Sequence, residues 1–310
     1  MTTATLNAAF GIPGILFFEE TADGLVRAQI ATSSANATIY LQGAHLAQWQ
    51  PAGESPVLFL ASQSSFKRGE AVRGGVPLVF PWFGCGEKDR LTRRSIGKHG
   101  FARTALWTLR SAHLTDGDIE LRFSLTADAR SRALGFDCFY LEYALRVGRS
   151  LELELTTQNH GAKTLCFEEA FHTYFAIGEI EKASVCGLAG APYLDAADGF
   201  SEKRQSEAEL HFNRQTDSVY LGTEAVCVLR DPGNHRQIHL EKSGSRTTVV
   251  WNPGEETSGA FSDLGSGDWR KFVCVETANA LSDAITLAPG ARHRLAARIT
   301  VQPEFGFDSH

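Results

Sequence analysis

Three features of the sequence predict an all-β protein built from large antiparallel sheets. Apolar and polar residues alternate with period two in several runs, turn-forming residues recur between those runs, and no stretch carries a long helical periodicity. The alternation is clearest at Ile119-Glu120-Leu121-Arg122-Phe123-Ser124-Leu125 and Leu151-Glu152-Leu153-Glu154-Leu155, where every second side chain is apolar and would face a core. Thr247 to Trp251 and Ile299-Thr300-Val301 are rich in β-branched residues, which suit a pleated strand. Turn signals separate such runs: Asp116-Gly117, Asn159-His160-Gly161, Asp198-Gly199, Asp231-Pro232-Gly233-Asn234, Pro253-Gly254 and Pro289-Gly290. Turns at this density leave room for short helices only, and Ser206 to Glu209 is the helical candidate of the second half. No Pro/Ser-rich linker, low-complexity tract or fixed-period repeat interrupts the 310 residues, so one domain spanning 1–310 is expected.

Composition narrows the function classes. With 43% hydrophobic and 21% charged residues, the chain can fill a substantial core and is not of the disordered type. A net charge of -6 and a pI near 5.9 argue against a broad nucleic-acid face. The apolar run Ile12 to Phe18 is broken by Pro13 and Gly14 and follows no basic region, so neither a secretory signal nor a membrane span is expected. Six cysteines without a CxxC pair, several among apolar residues as in Val273-Cys274-Val275, read as reduced, buried thiols of a cytoplasmic protein. Their spacing shows no metal cluster, and His235 and His239 follow Pro232-Gly233-Asn234 with no helix to align them. A small molecule is then the expected partner, for a monomer or weak oligomer.

The segment Phe66 to Arg103 departs from this acidic background. From Lys67 to Arg103 it holds nine Lys/Arg against three Asp/Glu, which suggests a local anion site, although a solvated basic loop has the same composition. Arg73 precedes Gly74-Gly75, where side-chain-free backbone could approach a ligand closely. Pro77 and Pro81 bracket an apolar triad and stiffen it.

Two further residues could carry chemistry. His172 lies in Phe171-His172-Thr173-Tyr174-Phe175, where burial favours neutral imidazole; alone it reads as a satisfied core residue. Glu276 ends the apolar run Phe272-Val273-Cys274-Val275, so it must be paired, protonated, functional or turned outward. Together they are the parts of a general acid-base pair. Trp82, Trp107, Trp251 and Trp269 could stack on sugar faces or fill the core. The sequence has no GxSxG elbow, no P-loop and no GxGxxG after a strand.

Several motifs in order resemble the glucose-6-phosphate 1-epimerases of the wider aldose 1-epimerase group. They are Arg73-Gly74-Gly75-Val76-Pro77, Pro81-Trp82-Phe83-Gly84, His99-Gly100-Phe101-Ala102-Arg103 and Phe171-His172-Thr173-Tyr174-Phe175. Tyr193-Leu194-Asp195, Asp217-Ser218-Val219-Tyr220, Val249-Val250-Trp251-Asn252-Pro253 and Phe272-Val273-Cys274-Val275-Glu276 complete the series. The resemblance implies a galactose-mutarotase-like β-supersandwich with no metal or organic cofactor. It implies His172 as catalytic acid, Glu276 as catalytic base, and Arg73, Lys98, Arg103 and Asp195 as substrate contacts. Lys98 stands where the family pattern has Gln, and an ammonium also suits a phosphate. The acidic Glu168-Glu169 before His172 is not part of the pattern. The implied reaction is interconversion of the α and β anomers of a hexose 6-phosphate, glucose 6-phosphate first among them. An epimerase of neutral hexoses and a non-catalytic sugar-binding module are the competing readings. The presence of both His172 and Glu276 counts against the module, which needs neither.

Overall fold

A computed structural model describes residues 2–85 and 97–304. Lys88, Arg90, Arg93 and Arg94, which contribute to the basic segment, lie outside the described residues. Two large antiparallel sheets dominate. The nine-stranded sheet runs, edge to edge, through Glu209–His211, Ser184–Cys186, Cys227–Asp231, Arg236–Ser243, Arg292–Pro303, Ser150–Asn159, Phe139–Val147, Asp118–Thr126 and Thr108–Thr115. The eight-stranded sheet orders Ser201–Arg204, Pro192–Asp195, Thr216–Leu221, Thr247–Asn252, Phe272–Asn279, Glu169–Phe171 and Leu78–Val79, with Tyr174–Ala176 also pairing to Phe272–Asn279. Leu16–Glu20, Val26–Ala31, Ala35–Tyr40 and His45–Pro51 form a four-stranded meander in chain order. Helices are short; Thr3–Phe10 is capped by the Thr2 hydroxyl, which accepts from the Thr5 N–H.

The period-two pattern decides which face is buried. Leu121, Phe123, Leu153 and Leu155 of the nine-stranded sheet meet Phe171, Tyr220, Val250, Val273 and Val275 of the eight-stranded sheet in one continuous core. The alternate positions carry charge: Arg122 pairs with Glu120 and Glu142, Arg294 with Glu154, and Arg298 with Glu152 on the outer face. Such exposed pairs contribute little each and mainly keep that face wet. Truncating a core leucine such as Leu153, which is 1% exposed, would cost about 2–5 kcal/mol.

Some local expectations fail. Ser206 to Glu209 is not helical; Gln205 reaches over it to the Glu207 carbonyl, and Glu209 opens a strand instead. Gly254 is the first residue of a short helix, Gly254–Ser258, rather than only a turn. Of the six cysteines, Cys227 and Cys274 are buried, Cys85, Cys138 and Cys166 are exposed, and all are free thiols.

Candidate active site

Strand register brings His172 and Glu276 together. Phe171 pairs with Thr277 and Tyr174 with Cys274, so the residue facing Glu276 across this antiparallel ladder is His172. Its backbone N–H is held by the Pro77 carbonyl, next to the short strand Leu78–Val79. The side chains meet with His172 Nε2 at 3.3 Å from Glu276 Oε1. His172 is 7% exposed and Glu276 1%. Burial, then Arg103 and Arg73, lowers the His172 imidazole to about 3. Burial, then the neighbouring Asp217, holds the Glu276 carboxyl well above its usual range. A buried pair avoids net charge by carrying one proton between the two partners.

The arginines stand near this pair, since both depress the imidazole. Arg73 Nη1 donates to the Tyr174 hydroxyl at 3.2 Å, and the Tyr174 ring stacks on His172 at 4.9 Å between centroids. Asp263 sits 2.7 Å from Arg73 Nε, and the guanidinium lies 5.0 Å from the Phe261 ring centre. Arg103 donates to the Lys98 carbonyl at 2.7 Å, while Lys98 itself is exposed. Arg73 and Arg103 thus stand beside His172, whereas the charge of Lys98 acts on Asp217 and His99.

The fold itself requires Gly74 and Gly75. Their φ values are +114° and +61°, and a Cβ would come within 2.4 Å of the Phe59 carbonyl oxygen at Gly74 or 2.2 Å of the Leu46 carbonyl oxygen at Gly75. What approaches these glycines is neighbouring backbone, and the close fit aims Arg73 into the site.

Asp195 is turned away. It pairs with Ser218, whereas Asp217 pairs with Trp251, which pairs in turn with Cys274. Neighbours in a strand project to opposite faces, so Asp217 shares a face with Trp251, Cys274 and Glu276, and Asp195 does not. The Asp195 carboxylate is held by Lys203 Nζ at 2.7 Å and by the Ala197 N–H at 3.1 Å, in a depression it shares with Tyr193, Gln205 and Ser218. Asp217 is therefore the aspartate on the face of Glu276. Burial, then Asp195, pushes its carboxyl up to about 6. The sequence places both aspartates in recognisable motifs, and only the pairing register separates them.

His99 also joins the site. Its ring lies edge-on to His172 at 5.1 Å and to Phe83 at 5.0 Å. The Gly84 N–H donates to Nδ1 at 3.3 Å, which leaves the proton of the neutral ring on Nε2. Burial, then His172 and the nearby cations, keeps it well below the ordinary imidazole range. Of the tryptophans, Trp251 borders the pair, 6.3 Å from the His172 ring, and Trp107 is core.

The acidic pair before His172 has a structural explanation. Glu168 accepts from the backbone N–H of Phe83 and of Leu281, both at 2.7 Å, and so ties two loops to the segment that carries His172. Glu169 projects to the opposite face, buried against Thr157 and His293. The absence of a metal cluster from the sequence spacing does not carry over to the fold, where His172, Cys274 and Glu276 offer ligand atoms within 4.8 Å of one another.

The chain is similar to known proteins over most of its length. Residues 27–300 match the family model described as "Aldose 1-epimerase". A protein named "Putative glucose-6-phosphate 1-epimerase" from Escherichia coli (strain K12) is 38% identical, covering 79% of this chain and 80% of that protein. One of the same name from Salmonella typhimurium is 36% identical, covering 78% and 79%. A solved structure, described as a "putative mutarotase" from Salmonella typhimurium, superposes with a TM-score of 0.87 at 31% identity, over 97% of this chain and 99% of that one. The large antiparallel sheets match that fold, and the chain belongs to the aldose 1-epimerase family.

Proposed function

We propose that the protein interconverts the α and β anomers of a hexose 6-phosphate, with glucose 6-phosphate as the substrate of choice. The observation that carries the reading is the buried contact of His172 with Glu276, 3.3 Å apart and bordered by cations. Glu276 takes the proton of the anomeric hydroxyl while His172 protonates the ring oxygen, and the hemiacetal opens. The aldehyde turns about C1–C2 and recloses on its other face, with the two proton roles exchanged. Both steps need acid and base in the same encounter. A shared proton supplies this, because moving it from Glu276 to His172 creates carboxylate and imidazolium with no exchange with solvent. Arg73 and Arg103 raise the acidity of that imidazolium and would clamp the phosphate, for which a guanidinium fork is well matched. Lys98 adds an exposed ammonium, and Asp217 would hold a sugar hydroxyl by a charge-assisted hydrogen bond.

The names of the relatives and the basic group support the phosphorylated substrate over the neutral sugar. One-dimensional NMR of anomer exchange, comparing glucose with glucose 6-phosphate at equal concentration, tests this. Faster exchange of the phosphate ester per enzyme is expected. Equal or faster exchange of glucose would favour the neutral-hexose epimerase instead.

A further inference from the structure

We propose that His172, Cys274 and Glu276 form a binding site for a thiophilic divalent cation of the zinc type, and that this cation inhibits the enzyme by capturing the acid-base pair. The three ligand atoms lie within 4.8 Å of one another. The 3.3 Å between His172 Nε2 and Glu276 Oε1 equals the edge of a tetrahedron around a zinc ion bonded to each at about 2.0–2.1 Å. Cys274 stands two residues before Glu276 on the strand Phe272–Asn279, so its thiol projects from the same face. Imidazole, thiolate and carboxylate together suit zinc or cobalt, whereas magnesium and calcium take oxygen ligands. Three protein ligands would leave a fourth position for water, as in an open zinc site.

Burial and charge favour the same conclusion. All three side chains are buried, and Glu276 Oε2 is a buried oxygen without a hydrogen-bond partner among the described residues. A dication with one carboxylate and one thiolate is neutral overall, which a buried place requires. Binding releases the thiol proton and the proton of the pair to solvent, and no electron is transferred. Asp217, beside Glu276, attracts the ion, while Arg73 and Arg103 oppose it from the side of His172. The ion would occupy the lone pairs that acid-base catalysis needs. Cys274 takes no part in proton transfer, so it separates the metal site from the reaction. Competition between metal and sugar phosphate rests on the function proposed above; metal binding itself does not.

Titration of the purified protein with Co²⁺ reads the site directly, because a thiolate ligand gives a ligand-to-metal charge-transfer band and tetrahedral geometry gives intense visible bands. Both are expected in the unsubstituted protein, to be bleached by Zn²⁺ and absent from Cys274→Ser. Zn²⁺ should inhibit anomer exchange, and Cys274→Ser should weaken that inhibition by at least about tenfold, since losing even a residue that only supports a ligand costs 10–100-fold. No thiolate band in the unsubstituted protein overturns the proposal, and so does equal zinc inhibition of the two proteins. Should Cys274→Ser fail to fold, the spectrum of the unsubstituted protein still decides. Bands that persist in saturating glucose 6-phosphate would count against the sugar-phosphate reading and leave the metal site standing.

Discussion

Replacing Arg73 by alanine is expected to separate phosphorylated from free sugars. The guanidinium stands near His172 and is held in place by Asp263 at 2.7 Å and the Tyr174 hydroxyl at 3.2 Å. A hydrogen bond to a charged group contributes about 1.5–3 kcal/mol, so kcat/KM for glucose 6-phosphate should fall about 10- to 150-fold. The proposed clamp puts the loss toward the upper end, because the variant also removes the guanidinium 2.7 Å from the Asp263 carboxylate, beside the proposed phosphate position. In an Asp263→Asn background the same substitution should cost less, and the difference measures the repulsion between that carboxylate and the phosphate. Loss of the Arg73 contact to Tyr174 affects both substrates alike, so the ratio of the two specificity constants is the quantity to read. Anomer exchange followed by NMR or polarimetry supplies it. Equal slowing of glucose and glucose 6-phosphate in a well-folded variant would refute the clamp.

Two further predictions follow from buried groups. With His172 lowered to about 3 and Glu276 raised, the pair keeps one proton across the neutral range, so the plot of kcat against pH should have a wide flat top. On free glucose, which has no phosphate to titrate, kcat should hold as pH falls through the ordinary imidazole range near 6.5; a loss centred there contradicts the shared proton. Glu169, fully buried, is pushed up to about 8 by burial. An unfolded chain releases that proton near 4.5 and the native chain near 8, so rising pH across this window favours the unfolded state. At pH 7 the penalty is on the order of 3 kcal/mol, and Glu169→Gln should resist urea better than the parent at pH 8 but not at pH 4. An equal urea midpoint for the two proteins at pH 8 would count against a protonated Glu169.

The sheets were legible because the Ile119 to Leu125 and Leu151 to Leu155 runs alternate, and alternation reports directly on a half-buried strand. His172 and Glu276 were legible as residue types in apolar runs that lack an obvious partner. Their direct opposition was not, since it depends on the register between strands about a hundred residues apart. The same limit separates Asp195 from Asp217. Asp195 ends the short strand Pro192–Asp195 and Asp217 is the second residue of Thr216–Leu221, and one step of pleat decides which of them shares a face with Glu276. Gly74-Gly75 looked like room for a ligand, but the atoms that come close belong to Phe59, Leu60 and Leu46, which no local pattern reveals. Cys274 sits in an apolar run and reads as core until the strand face is known.

Glu276→Gln separates a base role for Glu276 from a purely structural one. The amide nearly matches the carboxyl in shape and can still bond to His172 at 3.3 Å, so fold and sugar-phosphate binding should persist. It cannot accept the anomeric proton, so the NMR exchange rate of glucose 6-phosphate at saturation should fall by at least about 10²-fold. An exchange rate within a few-fold of the parent, with binding intact, would contradict the assignment.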